Sequence, residues 1–301
     1  MPQLTVNGLN FHVVDEGKPG NPVVLLLHGF PDSSELWRYQ IPPLVAQGYR
    51  VIAPDLRGFG QSDKPPLPAN YRLDLLLTDV LGIMTQLDVG KFHLVGHDWG
   101  SALSWVLAAF LSQPISPQLL AALPPTVAGM WMKAAIKPEV LSLAAMSVAH
   151  PRAYKQPDIE QRQKSWYILF FQFDRAEAAL PQNDWEFLRQ WSNYDGELTR
   201  WTQDLSRPGA LRAALNWYRA NAHPDRSIAD DQTLPLIRVP TLGVWSSRDP
   251  HLTEGPMKGS EQFVDKTVGR WRYERIEGAG HWMQLEQPDL ISKLLLDWLR
   301  Y

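Results

Sequence analysis

Short runs of β-branched and aliphatic residues, each followed by a longer stretch with helical period, leave this chain few architectures. Val23-Val24-Leu25-Leu26-Leu27 with Gly29 after it, then Tyr49 to Pro54, then Phe92-His93-Leu94-Val95 form the first three such runs. Runs without polar alternation read as strands buried on both faces, as in a parallel sheet. Ser34 to Val45, Asp74 to Leu87 and Gly100 to Leu111 have helix length and composition, so the series is a right-handed βαβ succession and the fold class is α/β. Further strands are expected at Leu141 to Ser147, Thr241 to Ser246 and Trp271 to Ile276, with a closing amphipathic helix from Asp289 to Leu299. Ahead of the series, Leu4 to Val6 and Asn10 to Val14, joined through Asn7-Gly8, read as an antiparallel hairpin.

From Pro151 to Val239 no strand pattern is present, while aromatic residues and helix formers are dense. A crossover that long cannot be one helix. The expected organisation is a core of residues 1–150 and 233–301 with a helical cap, 151–232, inserted after the sixth strand. A length of 301 residues fits one elaborated domain. With 20% charged residues and a net charge of −3, a phosphate-backbone partner is not expected. The absence of cysteine excludes disulfides, cysteine-ligated metals and a thiol nucleophile. The first residues lack the basic start and apolar core of a signal peptide, so a cytoplasmic location is expected. Trp99 to Met132 is uncharged, but Pro114, Pro117, Pro124 and Pro125 break it, which argues for a buried helix and an apolar excursion over a membrane span. Gly58-Phe59-Gly60 lacks the third glycine of a dinucleotide loop and reads as a turn.

The sharpest chemical signal is Val95-Gly96-His97-Asp98-Trp99-Gly100, after a strand and before a helix. Small residues two before and two after a central side chain are what a strained strand–turn–helix elbow needs, because the backbone approaches its neighbours too closely for Cβ atoms. Here the elbow presents Asp98 where serine hydrolases present serine. Downstream, Asp249 in Ser247-Arg248-Asp249-Pro250 and His281 in Gly278-Ala279-Gly280-His281-Trp282 follow strands, in the order nucleophile, acid, histidine. A carboxylate nucleophile is ionised near neutrality and needs no base. Its attack on an ester carbonyl would give an anhydride that reverts, whereas attack on a strained or activated saturated carbon gives a stable alkyl ester. His281, oriented by Asp249, would then activate a water against that ester. The oxyanion forms on the aspartate itself, and its expected donors are the backbone N–H groups of Trp99 and of Phe30 in His28-Gly29-Phe30-Pro31.

Taken together, His28-Gly29-Phe30-Pro31, Gly96-His97-Asp98-Trp99-Gly100, Ser247-Arg248-Asp249-Pro250 and Gly280-His281-Trp282 make the chain resemble the α/β-hydrolase fold, in its epoxide hydrolase branch that also contains the haloalkane dehalogenases. The likeness spans nearly the whole chain. It implies a mostly parallel central sheet flanked by helices. It also implies that Ser165 to Gln172 and Leu215 to Arg219 supply the epoxide-polarising tyrosines, Tyr167 and Tyr218. Two phenols suit the chemistry, since epoxide opening releases a basic alkoxide that needs a proton or close donors, and a departing halide does not.

Two departures stand out. Ser101 follows the elbow where glycine or alanine is more usual in the family, and a residue at the second helical position points away from the nucleophile's exit, so it is read as structural. Residues 113–136 form an apolar insertion that could extend the core, line the pocket or make a dimer contact. Among the other histidines, His97 is expected to face away from the site, His28 to support the oxyanion turn, and His150 to mark the exit to the cap. None has metal-ligand spacing, so neither metal nor cofactor is expected.

The expectation is therefore a cofactor-independent epoxide hydrolase that forms a vicinal diol through an Asp98 ester. Thirteen tryptophans and ten phenylalanines imply an apolar pocket for a small apolar epoxide and water, in a monomer or homodimer. The alternatives are a dehalogenase using the same aspartate and a non-catalytic ligand-binding protein. Against haloalkane substrates stands Phe30, where an asparagine after His-Gly would help hold halide, and against haloacids stands Trp99, where the family resemblance implies an arginine after the nucleophile. A pure receptor has no need of Asp98, Asp249, His281, Tyr167 and Tyr218 together.

Overall fold

A computed structural model describes residues 3–114, 116–133, 138–154, 157–222 and 234–300. Within them lie β1 (Gln3–Val6), β2 (Leu9–Glu16), β3 (Val23–Leu27), β4 (Arg50–Pro54), β5 (Lys91–His97), β6 (Glu139–Met146), β7 (Thr241–Ser246) and β8 (Trp271–Ile276). They form one eight-stranded sheet in the order β1-β2-β4-β3-β5-β6-β7-β8. The pairs β1–β2 and β2–β4 are antiparallel and the remaining pairs parallel. All five residues of β3 and all six of β7 are buried, the reason neither shows the polar alternation of a half-exposed strand. The first hairpin turns at Asn7 and Gly8, both with positive φ, as a tight two-residue turn requires.

Neighbouring strands set the site. β4 pairs with one edge of β3 and β5 with the other, so the winding direction reverses between β3 and β5. A crevice opens at the carboxyl ends of strands on either side of such a reversal. The His28 to Pro31 turn leaves β3 there, and Asp98 leaves β5 beside it.

The helices before β6 are α1 (Ile41–Ala46), α2 (Leu73–Gln86), α3 (Trp99–Leu111), α4 (Pro117–Ala122) and α5 (Pro125–Lys133). The single helix expected over Ser34 to Val45 is two pieces, a 3-10 turn at Ser34–Trp37 and then α1. The cause is Pro42-Pro43, which lack N–H donors and are tolerated only in a first helical turn, so the helix restarts just ahead of them. The insertion after α3 has a readable role in three dimensions: Leu119, Leu123 and Val127 are buried in the main core, and Thr126 Oγ1 donates to Asp74 Oδ2 on α2 at 3.0 Å. It extends the core, with 134–136 lying outside the described residues.

Between β6 and β7 the described residues form α6 (Ile159–Lys164), α7 (Trp166–Gln172), α8 (Ala176–Ala179), α9 (Gln182–Ser192), α10 (Leu198–Leu205) and α11 (Ala210–Asn221). The expected boundary at 232 falls outside the described residues. These helices touch the carboxyl ends of the strands. Arg200 on α10 pairs with Asp32 in the turn after β3, and Lys164 Nζ donates to the Asp249 carbonyl after β7 at 2.9 Å. Phe171 and Tyr218, from α7 and α11, pack on Phe30 with ring centroids 5.5 and 5.6 Å away. No described helix is long and apolar enough to cross a membrane.

Candidate active site

Asp98 caps α3 with φ 53° and ψ −123°, a left-handed backbone that only a tightly built turn sustains in a non-glycine residue. The two flanking glycines make the turn possible: a Cβ on Gly96 would lie 2.4 Å from the Gly100 carbonyl oxygen, and one on Gly100 would lie 2.1 Å from that of Leu27. The elbow thus lifts the carboxylate out of the sheet toward the crevice, where Asp98 is only 8% exposed.

The two carboxylate oxygens of Asp98 have different neighbours. Oδ1 accepts the backbone N–H of Phe30 at 2.8 Å. Oδ2 lies 3.6 Å from His281 Nε2. Burial pushes the Asp98 carboxyl upward, but the hydrogen bond and charge of His281, the nearby His97 and the backbone N–H of Trp99 more than offset it, and the net shift is downward. Asp98 is therefore ionised at neutrality.

His281 Nδ1 is 2.8 Å from Asp249 Oδ2. The other oxygen of Asp249 accepts the backbone N–H groups of His251 at 2.8 Å and Leu252 at 3.0 Å. Burial works against that charge, yet the His281 partner and these donors hold the Asp249 carboxyl down at about 2. For His281, burial pushes the imidazole downward, and the charges and hydrogen bonds of Asp249 and Asp98 overcome it to raise the ring to about 10. With both carboxylates ionised, His281 is an imidazolium.

The turn bearing Phe30 is braced from below. Leu56 N–H donates to His28 Nε2 at 2.9 Å, which leaves the His28 proton on Nδ1, and Asp55 Oδ1 accepts the Ser34 N–H at 2.8 Å. His28 thus does support the turn as expected. Ser101 Oγ donates to the Val148 carbonyl at 2.7 Å, away from Asp98.

Tyr167 on α7 and Tyr218 on α11 are 6% and 3% exposed, with ring centroids 6.0 Å apart. Tyr218 stands edge-on to Trp99, the residue after Asp98, at 5.1 Å. Burial first, and then the negative charge of Asp98, push both phenols well above their ordinary value, so both keep their protons as donors. The sequence-expected residues Asp98, Asp249, His281, Tyr167, Tyr218, Phe30 and Trp99 are all in one place.

Two histidines depart from expectation or were missed. His97 does not face away: its Nε2 is 2.9 Å from the His281 carbonyl and its ring 4.7 Å from the His281 ring. Burial and the His281 charge push it down to about 4, so it is a neutral N–H donor that pins the loop carrying His281. His251 went unnoticed in the sequence because Asp-Pro-His reads as a turn. Its ring stacks on Trp191 at 4.3 Å and meets Tyr167 and His281 at 5.3 Å each. With Trp166, Phe187, Trp191, Pro250 and the polar Glu160, Gln163, Lys164 and Gln190, this ring lines an open cleft of about 580 Å³.

A sheet that reverses its winding beside an elbow, with an acid and a histidine on later strands, defines an α/β hydrolase, and the chain matches that family's description, alpha/beta hydrolase fold, over residues 22–288. It is 33% identical over 310 residues to the AB hydrolase superfamily protein YfhM of Bacillus subtilis, covering 99% of this chain and 96% of that protein. It is 30% identical over 339 residues to epoxide hydrolase A of Mycobacterium tuberculosis, covering 98% and 96% of the two chains. The crystal structure of epoxide hydrolase A from Mycobacterium thermoresistibile superposes with a TM-score of 0.77 at 26% identity, covering 99% of this chain and 97% of that one. The chain belongs to the α/β-hydrolase family and, within it, to the epoxide hydrolases. It is a hydrolase.

Proposed function

We propose that the protein converts an epoxide to a vicinal diol through a covalent ester on Asp98. The observation that carries this reading is the division of labour on one carboxylate: Oδ1 is held by the Phe30 N–H, and Oδ2 faces His281. Similarity to enzymes named epoxide hydrolases at 30% identity supports the substrate class.

Oδ2 attacks an epoxide carbon from the side opposite the ring oxygen. The C–O bond of the ring breaks as the Asp98 ester forms, and the oxygen leaves as an alkoxide toward Tyr167 and Tyr218, whose hydroxyls hydrogen-bond it and supply a proton. Esterification also removes the Asp98 charge. One of the two anions raising the His281 pKa is then gone, and the imidazolium gives up its proton, which replaces the one the tyrosines lost to the alkoxide. Neutral His281 deprotonates a water that attacks the ester carbonyl carbon. The resulting oxyanion sits at Oδ1, held by the Phe30 N–H with the Trp99 N–H as the second donor. Its collapse breaks the ester C–O bond, the leaving alkoxide takes the proton from His281 to give the diol, and the new Asp98 carboxyl returns its proton to the imidazole, which restores the carboxylate. The helices from α6 to α11 act as a cap that carries the tyrosines and keeps bulk water from the ester.

His281→Gln tests the reading. The variant retains the nucleophile and loses water activation, so mixing it with styrene oxide should leave a covalent adduct of the epoxide's mass on Asp98 by intact-protein and peptide mass spectrometry. Normal turnover by this variant, or an adduct on Ser101, would overturn the mechanism.

A further inference from the structure

Gln161 on α6 is 2% exposed, although glutamine belongs to the mostly exposed residue types, and both donor and both acceptor positions of its amide are taken. Nε2 donates to the His251 carbonyl and to Ser165 Oγ, each at 2.9 Å. Oε1 accepts the Thr253 backbone N–H at 2.8 Å and the Thr253 hydroxyl at 3.0 Å. Three of these four bonds run from the cap to the loop of 249–253, which begins with Asp249. Lys164, three residues along α6 and so on the same face, holds that loop at the Asp249 carbonyl at 2.9 Å.

The remaining polar groups of the loop are met from within the core. The N–H groups of His251 and Leu252 go to Asp249 Oδ1 at 2.8 and 3.0 Å, and the Leu252 carbonyl accepts Trp245 Nε1 at 3.1 Å. Thr253 is the N-cap of the short helix Glu254–Gly259, yet its hydroxyl makes no cap bond there and turns to Gln161. A threonine at an N-cap ordinarily bonds its own helix, so a local preference is given up to hold the loop to the cap. Asp249 Oδ2 in turn meets His281 Nδ1 at 2.8 Å, and a shift of the loop is a shift of the group that orients the imidazole.

Building on the epoxide reading above, we propose that Gln161 is a positioning residue for the hydrolytic half-reaction, a clamp from the cap that fixes the Asp249 loop and so aligns His281 to activate water. It bonds none of Asp98, His281, Tyr167 and Tyr218, and acts through Asp249. Ring opening relies on Asp98 and the tyrosines, and hydrolysis on the Asp249–His281 pair, so the two steps should respond differently to its loss.

Three variants dissect the clamp. Gln161→Met keeps the side-chain length and removes all four bonds. Thr253→Val removes one bond from the loop side and keeps the N–H. Ser165→Ala removes the one bond that stays within the cap. With styrene oxide in single turnover, Gln161→Met should slow hydrolysis of the Asp98 ester by about 10- to 100-fold, since a misplacement of about 1 Å can cost about 100-fold. Thr253→Val should slow it less and Ser165→Ala hardly at all, and alkylation should change far less in all three.

A second readout needs no turnover. The downfield proton resonance of His281 Nδ1–H reports its bond to Asp249 and is identified by its absence in His281→Gln. It should move upfield in Gln161→Met and Thr253→Val and stay in place in Ser165→Ala. An unmoved resonance in Gln161→Met and Thr253→Val, equal losses in the two half-reactions, or a Ser165→Ala variant as slow as Gln161→Met would overturn the clamp. If wild type forms neither adduct nor diol from styrene oxide, it is the epoxide reading that fails, and the resonance then decides the clamp by itself.

Discussion

The backbone N–H of Phe30 donates to Asp98 Oδ1 at 2.8 Å, so one oxygen of the proposed nucleophile already engages its proposed oxyanion donor. The approach depends on Gly29, where a Cβ would lie 2.2 Å from Oδ1. Gly29→Ala should displace the carboxylate from its donor and slow the single-turnover alkylation and hydrolysis steps. The loss should approach the roughly 10²–10³ typical of a missing oxyanion donor. Alkylation and hydrolysis at wild-type rates in Gly29→Ala would show that the Phe30 contact does not position the carboxylate.

The tyrosines allow a test that separates the two half-reactions. Tyr167→Phe and Tyr218→Phe keep the ring contacts and remove the donor, and each should slow epoxide opening within the roughly 10²–10⁴ range of general-acid assistance, less where the partner compensates. The double variant should lose nearly all ring opening. Hydrolysis of an ester already formed relies on His281 and should change far less. Stopped-flow tryptophan fluorescence of the alkylation phase reads the difference, and near-native alkylation by the double variant would return both phenols to pocket packing.

The paired carboxylates make stability fall with pH on the basic side. The His281 imidazole is raised from an ordinary 6.5 to about 10 in the fold. Its stabilisation is fully present below pH 6.5 and is lost progressively as pH rises through 10, because in that window the folded state binds the proton and the unfolded chain does not. Denaturant unfolding of wild type at pH 6, 8 and 10 should show a decline that is shallower in His281→Gln. Parallel pH profiles for the two proteins would show that the imidazolium makes no contribution.

Arg200 ties the helical segment to the oxyanion turn. It pairs with Asp32, which is 1% exposed and follows Pro31, and also with Glu197, itself paired with Arg38. Arg200→Met leaves Asp32 with the Trp201 indole donor at 3.0 Å as its remaining side-chain hydrogen bond. The expected cost is about 3 kcal/mol of unfolding free energy, the lower end for a buried pair that loses one partner, since Arg200 itself is partly exposed. Chemical denaturation measures it, and a loss under about 1 kcal/mol would place this network among ordinary surface pairs.

Much of this was legible in the sequence for a physical reason. A strand buried on both faces shows no polar alternation, which makes Thr241–Ser246 legible to the residue. Trp271–Ile276 is a partly exposed edge strand whose Trp271-Arg272-Tyr273-Glu274 alternates apolar and charged side chains, and it is legible on that ground. The elbow was legible because Gly96 and Gly100 stand where no Cβ fits. Pro42-Pro43 split the helix expected over Ser34 to Val45, because two residues without N–H donors override the helical composition around them.

What the sequence by itself determined was the α/β succession, the chain order of Asp98, Asp249 and His281, and the family, since each depends on local spacing that backbone sterics impose. Tertiary structure alone decided the rest. That Oδ1 meets Phe30 while Oδ2 meets His281, that His97 turns inward to hold the His281 loop, and that His251 stacks on Trp191 are contacts between residues from 60 to 184 positions apart. No periodicity or motif encodes such contacts. They arise where the sheet reverses its winding and helices from 157–222 close over it, a meeting of surfaces that exists only once the chain has packed.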